Sequence, residues 1–284
     1  MNRLHFERHG SGEPLLFITG FAISSAVFEP VLDSYAARFE CILYDNRGGL
    51  ATSMPELAAD AARLLRSLGI ESAHVYGVSM GGMIAQELAL RFPERVRGLV
   101  LGGTTPGGPR AFRPAVTELA RGRWLFSPEF RREQPESVRE LLRYFHVRPA
   151  VLWAHWWATV YHDTVSRLGQ IQAPTLVLHG GADAMSPVAN ARLLASKIPD
   201  AELVIFPGAG HAFALERPRE SFEAVARFLD RPIAAGRPRR GVTARAEPLT
   251  RALGLPIGAA RTGASLAGLA TDRLRGRSHV AADR

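Results

Sequence analysis

The stretch Gly77-Val78-Ser79-Met80-Gly81 limits what this chain can fold into more than any other. It matches G-x-S-x-G, with the β-type run Ala73-His74-Val75-Tyr76 in front and the helix-forming run Met83 to Leu90 behind. A serine on so tight a strand-to-helix turn sits in a strained backbone region, and glycines two positions either side remove the Cβ atoms that would collide there. The turn pushes the hydroxyl out above the sheet edge, beside the amide N–H groups of a helix N-terminus. A glycine-rich βα turn that merely contains serine would also fit the pentapeptide. The strand-turn-helix context favours a nucleophile.

The rest of the chain fits such a turn. Leu15 to Thr19, Cys41 to Tyr44, Arg97 to Leu101, Pro174 to His179 and Glu202 to Phe206 read as strands. Val27 to Phe39, Pro55 to Leu68, the run from Met83 to Phe92, Pro187 to Ile198 and Pro218 to Leu229 read as helices. Ser53 is the expected cap of the second helix and Gly69 its stop. Strands separated by helices predict parallel pairing, with helices on both faces of one α/β sheet.

Residues 104–172 break the pattern with helical runs and no comparable strand. They hold all four tryptophans: Trp124, Trp153, Trp156 and Trp157. The last three are spaced i, i+3 and i+4, so one helical face presents them together. They are expected either to line an apolar substrate pocket under a helical cap or to fix the insertion to the main domain. The expected organisation is a core of residues 1–103 and 173–231, a helical cap of 104–172, and a disordered Arg/Ala/Gly-rich tail of 232–284.

The charge distribution argues against a phosphate-binding surface on the body of the chain. The 284 residues carry a formal net charge of +8, but ten arginines against three acids lie between Gly236 and Arg284, which places seven of those charges in the tail. A nearly neutral body does not read as a nucleic-acid binder. Cys41 is the only cysteine, so neither an intrachain disulfide nor a cysteine metal site is available. The apolar run Leu15 to Ile23 is short and follows acids rather than a basic leader, and no stretch reaches a membrane span. The expectation is a cytoplasmic protein without stable membrane insertion, acting on a small molecule; association into a homo-oligomer stays open.

A serine hydroxyl needs a base, and the base an orienting acid. In a parallel sheet these come from loops at the carboxyl ends of later strands. His211 follows the strand Glu202 to Phe206 through Pro207-Gly208-Ala209-Gly210 and is the expected general base. His179 also ends a strand at that edge, but it precedes Gly180-Gly181 and reads as support for the turn. Asp183 is the leading acid; aspartate is common in turns, yet the order Ser79, Asp183, His211 favours a catalytic role. The amides of Met80 and Phe21 are the expected oxyanion donors, with Gly20 letting the second loop bend inward.

Thr19-Gly20-Phe21-Ala22, Asp45-Asn46-Arg47-Gly48, Gly77-Val78-Ser79-Met80-Gly81-Gly82, Gly180-Gly181-Ala182-Asp183 and Gly208-Ala209-Gly210-His211 follow one another as in the α/β-hydrolase family, and the chain resembles its lidded, esterase-like branch over about residues 4 to 231. The resemblance implies the α/β-hydrolase fold, a triad of Ser79, His211 and Asp183, a helical cap, and neither metal nor organic cofactor. Thr19-Gly20 stands where many members have His-Gly, and the stretch between Arg47 and Pro55 is short. The expected activity is hydrolysis of a carboxylic ester or lactone of a small apolar substrate through an acyl-enzyme. Thioester hydrolysis, C–C bond hydrolysis and cofactor-free perhydrolysis fit the same residues. A non-catalytic binding protein of this fold is the reading from another class.

Overall fold

The computed structural model describes residues 4–49, 52–109, 125–144 and 149–231. Seven strands form one sheet in the order β1-β3-β2-β4-β5-β6-β7. They are β1 (Phe6–His9), β2 (Glu13–Ile18), β3 (Phe39–Tyr44), β4 (Ala73–Val78), β5 (Val96–Gly102), β6 (Thr175–Gly180) and β7 (Glu202–Phe206). All neighbours pair in parallel except β1, which runs antiparallel to β3 along the exposed edge. Leu15 to Ile18 and the whole of β6 are buried, as expected of parallel strands covered on both faces.

Alternation along each strand divides the core into two layers. Leu16, Ile18, Val75, Leu99, Leu101 and Val177 face α2 (Met54–Ser67), α3 (Met80–Arg91) and α7 (Ala189–Lys197). Leu15, Phe17, Leu43, Tyr76, Val100 and Leu178 face α1 (Glu29–Ala36) and α9 (Pro218–Leu229). The Ser53 hydroxyl accepts from the Glu56 N–H and donates to the Glu56 carboxylate, an N-cap that starts α2. Gly69, at φ 72°, ends it: the Ile70 N–H bonds back to the Leu65 carbonyl at 2.9 Å.

The described part of the insertion is helical: α4 (Pro128–Glu133), α5 (Pro135–Leu141) and α6 (Pro149–Val160). Between Phe206 and α9 lies a one-turn helix, α8 (Phe213–Glu216), which the sequence reading did not separate. The strand order reverses between β2 and β4, so the loops leaving these two strands part in opposite directions and leave a crevice at their carboxyl ends. The tail 232–284 lies outside the described residues, as does Trp124. Among the described residues no helix is long and apolar enough to cross a membrane.

Candidate active site

Ser79 occupies the turn between β4 and α3 at φ 57°, ψ −121°. This conformation costs a non-glycine residue roughly 1–3 kcal/mol and persists only where packing enforces it. Here the Ser79 N–H donates to the Gly102 carbonyl at 2.8 Å, and its own carbonyl accepts from the Thr104 hydroxyl at 2.7 Å. The flanking glycines are steric requirements: a Cβ on Gly77 would lie 2.3 Å from the Gly81 oxygen, and one on Gly81 2.0 Å from the Ile18 oxygen.

The loops after β6 and β7 bring two further groups to Ser79. The His211 Nδ1 lies 2.8 Å from the Asp183 Oδ2, and its Nε2 lies 3.0 Å from the Ser79 Oγ. A carboxylate only accepts, so Nδ1 carries the proton and Nε2 is left to accept from the serine hydroxyl. Both partners are buried, at 5% and 7% exposure, while Ser79 stays partly open. The His211 loop is fixed by the Glu216 carboxylate, which accepts from the Gly210 N–H at 3.1 Å and the Ser127 N–H at 2.8 Å. Such an array lets a hydroxyl pass its proton to an imidazole as it attacks.

Asp183 is held as an anion by more than His211. Its Oδ1 accepts from the Met185 and Ser186 amides, both at 2.8 Å. Burial by itself would raise its pKa, but the His211 charge and the hydrogen bonds from His179 and His211 outweigh it and hold the carboxyl down at about 2. His179 therefore does two things. Its Nε2 faces the Ser186 carbonyl at 2.8 Å, supporting the turn as the sequence suggested, and the Asp183 Oδ2 at 3.2 Å, which the sequence did not reveal.

The loop after β2 reaches the same rim. A Cβ on Gly20 would stand 3.3 Å from the Ser79 Cβ and 3.7 Å from its Oγ, so this backbone passes directly beside the serine and an added methyl would sit tightly against it. Met80 opens α3, and its amide is among those a helix leaves without an intrahelical acceptor. Of the expected donors, Phe21 thus lies on the loop after β2 and Met80 at the first position of α3, directly after Ser79. Thr19 takes its support from Asn46, whose Nδ2 donates to the Thr19 carbonyl at 3.0 Å.

The tryptophans are placed less simply. On α6 the buried residues are Ala154, His155 and Ala158, while Trp153 and Trp157 are 47% and 45% exposed and Trp156 is half-buried. Trp157 stacks on Tyr161, with ring centroids 5.7 Å apart, and lines a cleft of about 210 Å³ with Met54, Glu87, Arg91 and His162. No residue of the triad lines that cleft. From α6 it is His155 that reaches the loop after β2: the Ala22 N–H donates to its Nδ1 at 3.1 Å.

His162 carries a stability prediction. It is buried, and neither ring nitrogen has a hydrogen-bond partner among the described residues. Burial pushes its imidazole down from 6.5 to about 4, with the Glu87 charge opposing. Between those values the unfolded chain binds a proton that the folded chain refuses. Stability is therefore full above pH 6.5 and falls as pH drops toward 4, by up to roughly 3 kcal/mol. His162→Leu should flatten this part of the slope in denaturant unfolding at pH 7 and pH 4.5. An unchanged slope would contradict the assignment.

The family profile described as "Alpha/beta hydrolase family" matches residues 15–225. A protein of Azorhizobium caulinodans named for carbamate hydrolysis, RutD, is 34% identical over 242 residues, spanning 76% of this chain and 90% of that one. The pimeloyl-[acyl-carrier protein] methyl ester esterase of Chromobacterium violaceum is 31% identical over 249 residues, spanning 80% and 98%. Among solved structures, a thermophilic esterase of Thermogutta terrifontis superposes with a TM-score of 0.71 at 27% identity, over 80% of this chain and 92% of that one.

Proposed function

The chain belongs to the alpha/beta hydrolase family, and we propose that it is a serine hydrolase that cleaves a carboxylic ester or lactone of a small, apolar substrate through an acyl-enzyme. The observation that carries this reading is the continuous line from Asp183 through His211 to the Ser79 hydroxyl, at 2.8 Å and 3.0 Å, with Ser79 held in the left-handed region. The ester-cleaving names of its relatives support the same reaction class.

In this mechanism the Ser79 Oγ attacks the substrate carbonyl while its proton passes to the His211 Nε2. Asp183 stabilises the imidazolium that forms and keeps the ring oriented. The Met80 and Phe21 amides bind the oxygen as it gains charge, an interaction that strengthens toward the transition state. His211 then protonates the leaving alkoxide. Water, deprotonated by the same imidazole, attacks the acyl-enzyme, and collapse of the second adduct releases the acid and restores Ser79. No step requires a metal or an organic cofactor. In this reading the described insertion residues 125–144 and 149–172 serve as a helical cap, supported by two contacts: the Leu125 carbonyl accepts from the Ala212 N–H at 2.7 Å, next to His211, and the Tyr144 carbonyl from the Ser24 N–H at 3.1 Å.

A fluorophosphonate probe tests the reading directly. Covalent attachment is expected at Ser79, with turnover of p-nitrophenyl acyl esters rising with acyl length before it falls. Well-folded protein that takes no label would instead indicate a non-catalytic binder. Turnover of thioesters or C–C substrates well above that of esters and lactones would move the activity to another reaction on the same triad. Preference for short, charged acids would remove the apolar character of the substrate.

A further inference from the structure

We propose that His155, on the insertion helix α6, is a positioning residue that holds the loop between Thr19 and Ser25 in place beside Ser79. The inference rests on the hydrolase reading above, because it concerns the amide of Phe21 within that loop.

The loop is tied to the protein at three points. At its start the Asn46 side chain donates to the Thr19 carbonyl, and at its end the Asp45 carboxylate accepts from the Ser25 N–H at 2.8 Å and the Ser25 hydroxyl at 3.0 Å. Between them lies Ala22, a non-glycine residue at φ 51°, a conformation that needs outside support. Its N–H donates to the His155 Nδ1 at 3.1 Å, across 133 positions of sequence. The opposite ring nitrogen, Nε2, lies 2.9 Å from the Arg47 carbonyl and donates to it. One imidazole thus joins the loop after β2 to the turn after β3, and it can do so in one form only: neutral, with the proton on Nε2.

The surroundings keep that form. His155 is 1% exposed, and burial lowers its pKa below the ordinary value, with the Arg47 carbonyl opposing. The Phe21 ring meets the imidazole edge-on at 6.1 Å. α6 carries no acidic or basic side chain besides His155, and neither does the loop from Thr19 to Ser25. The charged groups nearby are Asp45 and Arg47 on the turn after β3, and Arg47 pairs with Asp60 of α2, which also binds Arg63. Backbone packing adds to the fix: a Cβ on Gly48 would stand 2.7 Å from the Val151 Cα, so this turn and α6 are pressed together. The bond fixes the Phe21–Ala22 peptide unit, which directly follows the unit that carries the Phe21 N–H, and so restricts how far that amide can turn. A loosened Phe21 amide weakens the hold on the developing oxyanion more than on the neutral ester. The loss therefore falls on kcat.

The test compares His155→Phe, which keeps a ring and loses both polar contacts, with His155→Gln, whose amide supplies an acceptor and a donor on one planar group. Full loss of an oxyanion donor costs about 10²- to 10³-fold, so a loosened one in His155→Phe should lower kcat about 10- to 100-fold, with KM within about threefold. His155→Gln should recover most of kcat. If His155→Phe does not fold, as read by its melting temperature, His155→Leu takes its place in the comparison. An unchanged kcat in the apolar variant, a loss confined to KM, or equal losses in Gln and Phe would overturn the proposal. The wild type separates the two inferences: absence of label at Ser79 overturns the hydrolase reading and this one with it, whereas a labelled, active wild type beside an unimpaired His155→Phe overturns the role of His155 alone.

Discussion

Ser79→Ala should lower kcat for a p-nitrophenyl ester by about 10⁴- to 10⁶-fold and abolish fluorophosphonate attachment, with little change in melting temperature. The size follows from what remains. Alanine keeps the Cβ and so tolerates the same φ of 57° with the same strain, and the Ser79 N–H and carbonyl keep their bonds to Gly102 and Thr104. Only the Oγ is lost, and with it the covalent route. In the proposed mechanism the Phe21 and Met80 amides are untouched by the substitution, so a residual rate of roughly 10³-fold over water is expected from binding and charge stabilisation alone. KM should change little. A variant within tenfold of wild-type kcat would mean that the hydroxyl held 3.0 Å from the imidazole is not the attacking atom.

Asp183→Asn should cost about 10⁴-fold in kcat while leaving substrate binding nearly intact. The carboxylate accepts from the His211 Nδ1, from His179, and from the Met185 and Ser186 amides. A carboxamide has one acceptor oxygen for these donors. If that oxygen stays with the two backbone amides, its NH₂ faces the imidazole and drives the proton from Nδ1 to Nε2. The ring then presents a donor to the Ser79 hydroxyl and can no longer act as its base. Steady-state kinetics and the rate of fluorophosphonate labelling should fall together. Labelling at the wild-type rate would show that Asp183 does not set the tautomer. Because the wild-type carboxyl is held at about 2, it remains ionised at every pH above its unfolded value of 3.8. Its contribution to folding is present above that value and lost as pH falls through about 2. Any acid limb of kcat above pH 4 arises elsewhere.

Much of the framework was legible because its demands are local. Gly77 and Gly81 are dictated by the turn they flank, and Ser53, Glu56 and Gly69 by the ends of one helix, so neighbouring residues carry the signal. The positions of Asp183 and His211 followed from the strands they come after and from the order in which a parallel sheet delivers its loops. Helix boundaries moved by a few residues: the run from Val27 divides into a 3₁₀ turn, Ser25–Phe28, and α1, and the helix read from Pro187 starts at Ala189. The face of α6 was not legible at all. The helix is apolar nearly all round, so periodicity selected no inward side. The tryptophans drew attention by size, while the side chain that bonds across to the loop beside Ser79 is His155.

By itself the sequence determined that a strained serine would stand at the carboxyl edge of a parallel sheet, with an acid and a histidine arriving from later strands. Each of these rests on backbone geometry that a few adjacent residues impose. The tertiary structure alone decided which groups complete the site: His179 on the shared carboxylate, Glu216 under the His211 loop, and His155 between Ala22 and Arg47. Those contacts join positions as far as 133 residues apart, and they exist only once packing of α6 and the sheet has fixed which donor meets which acceptor.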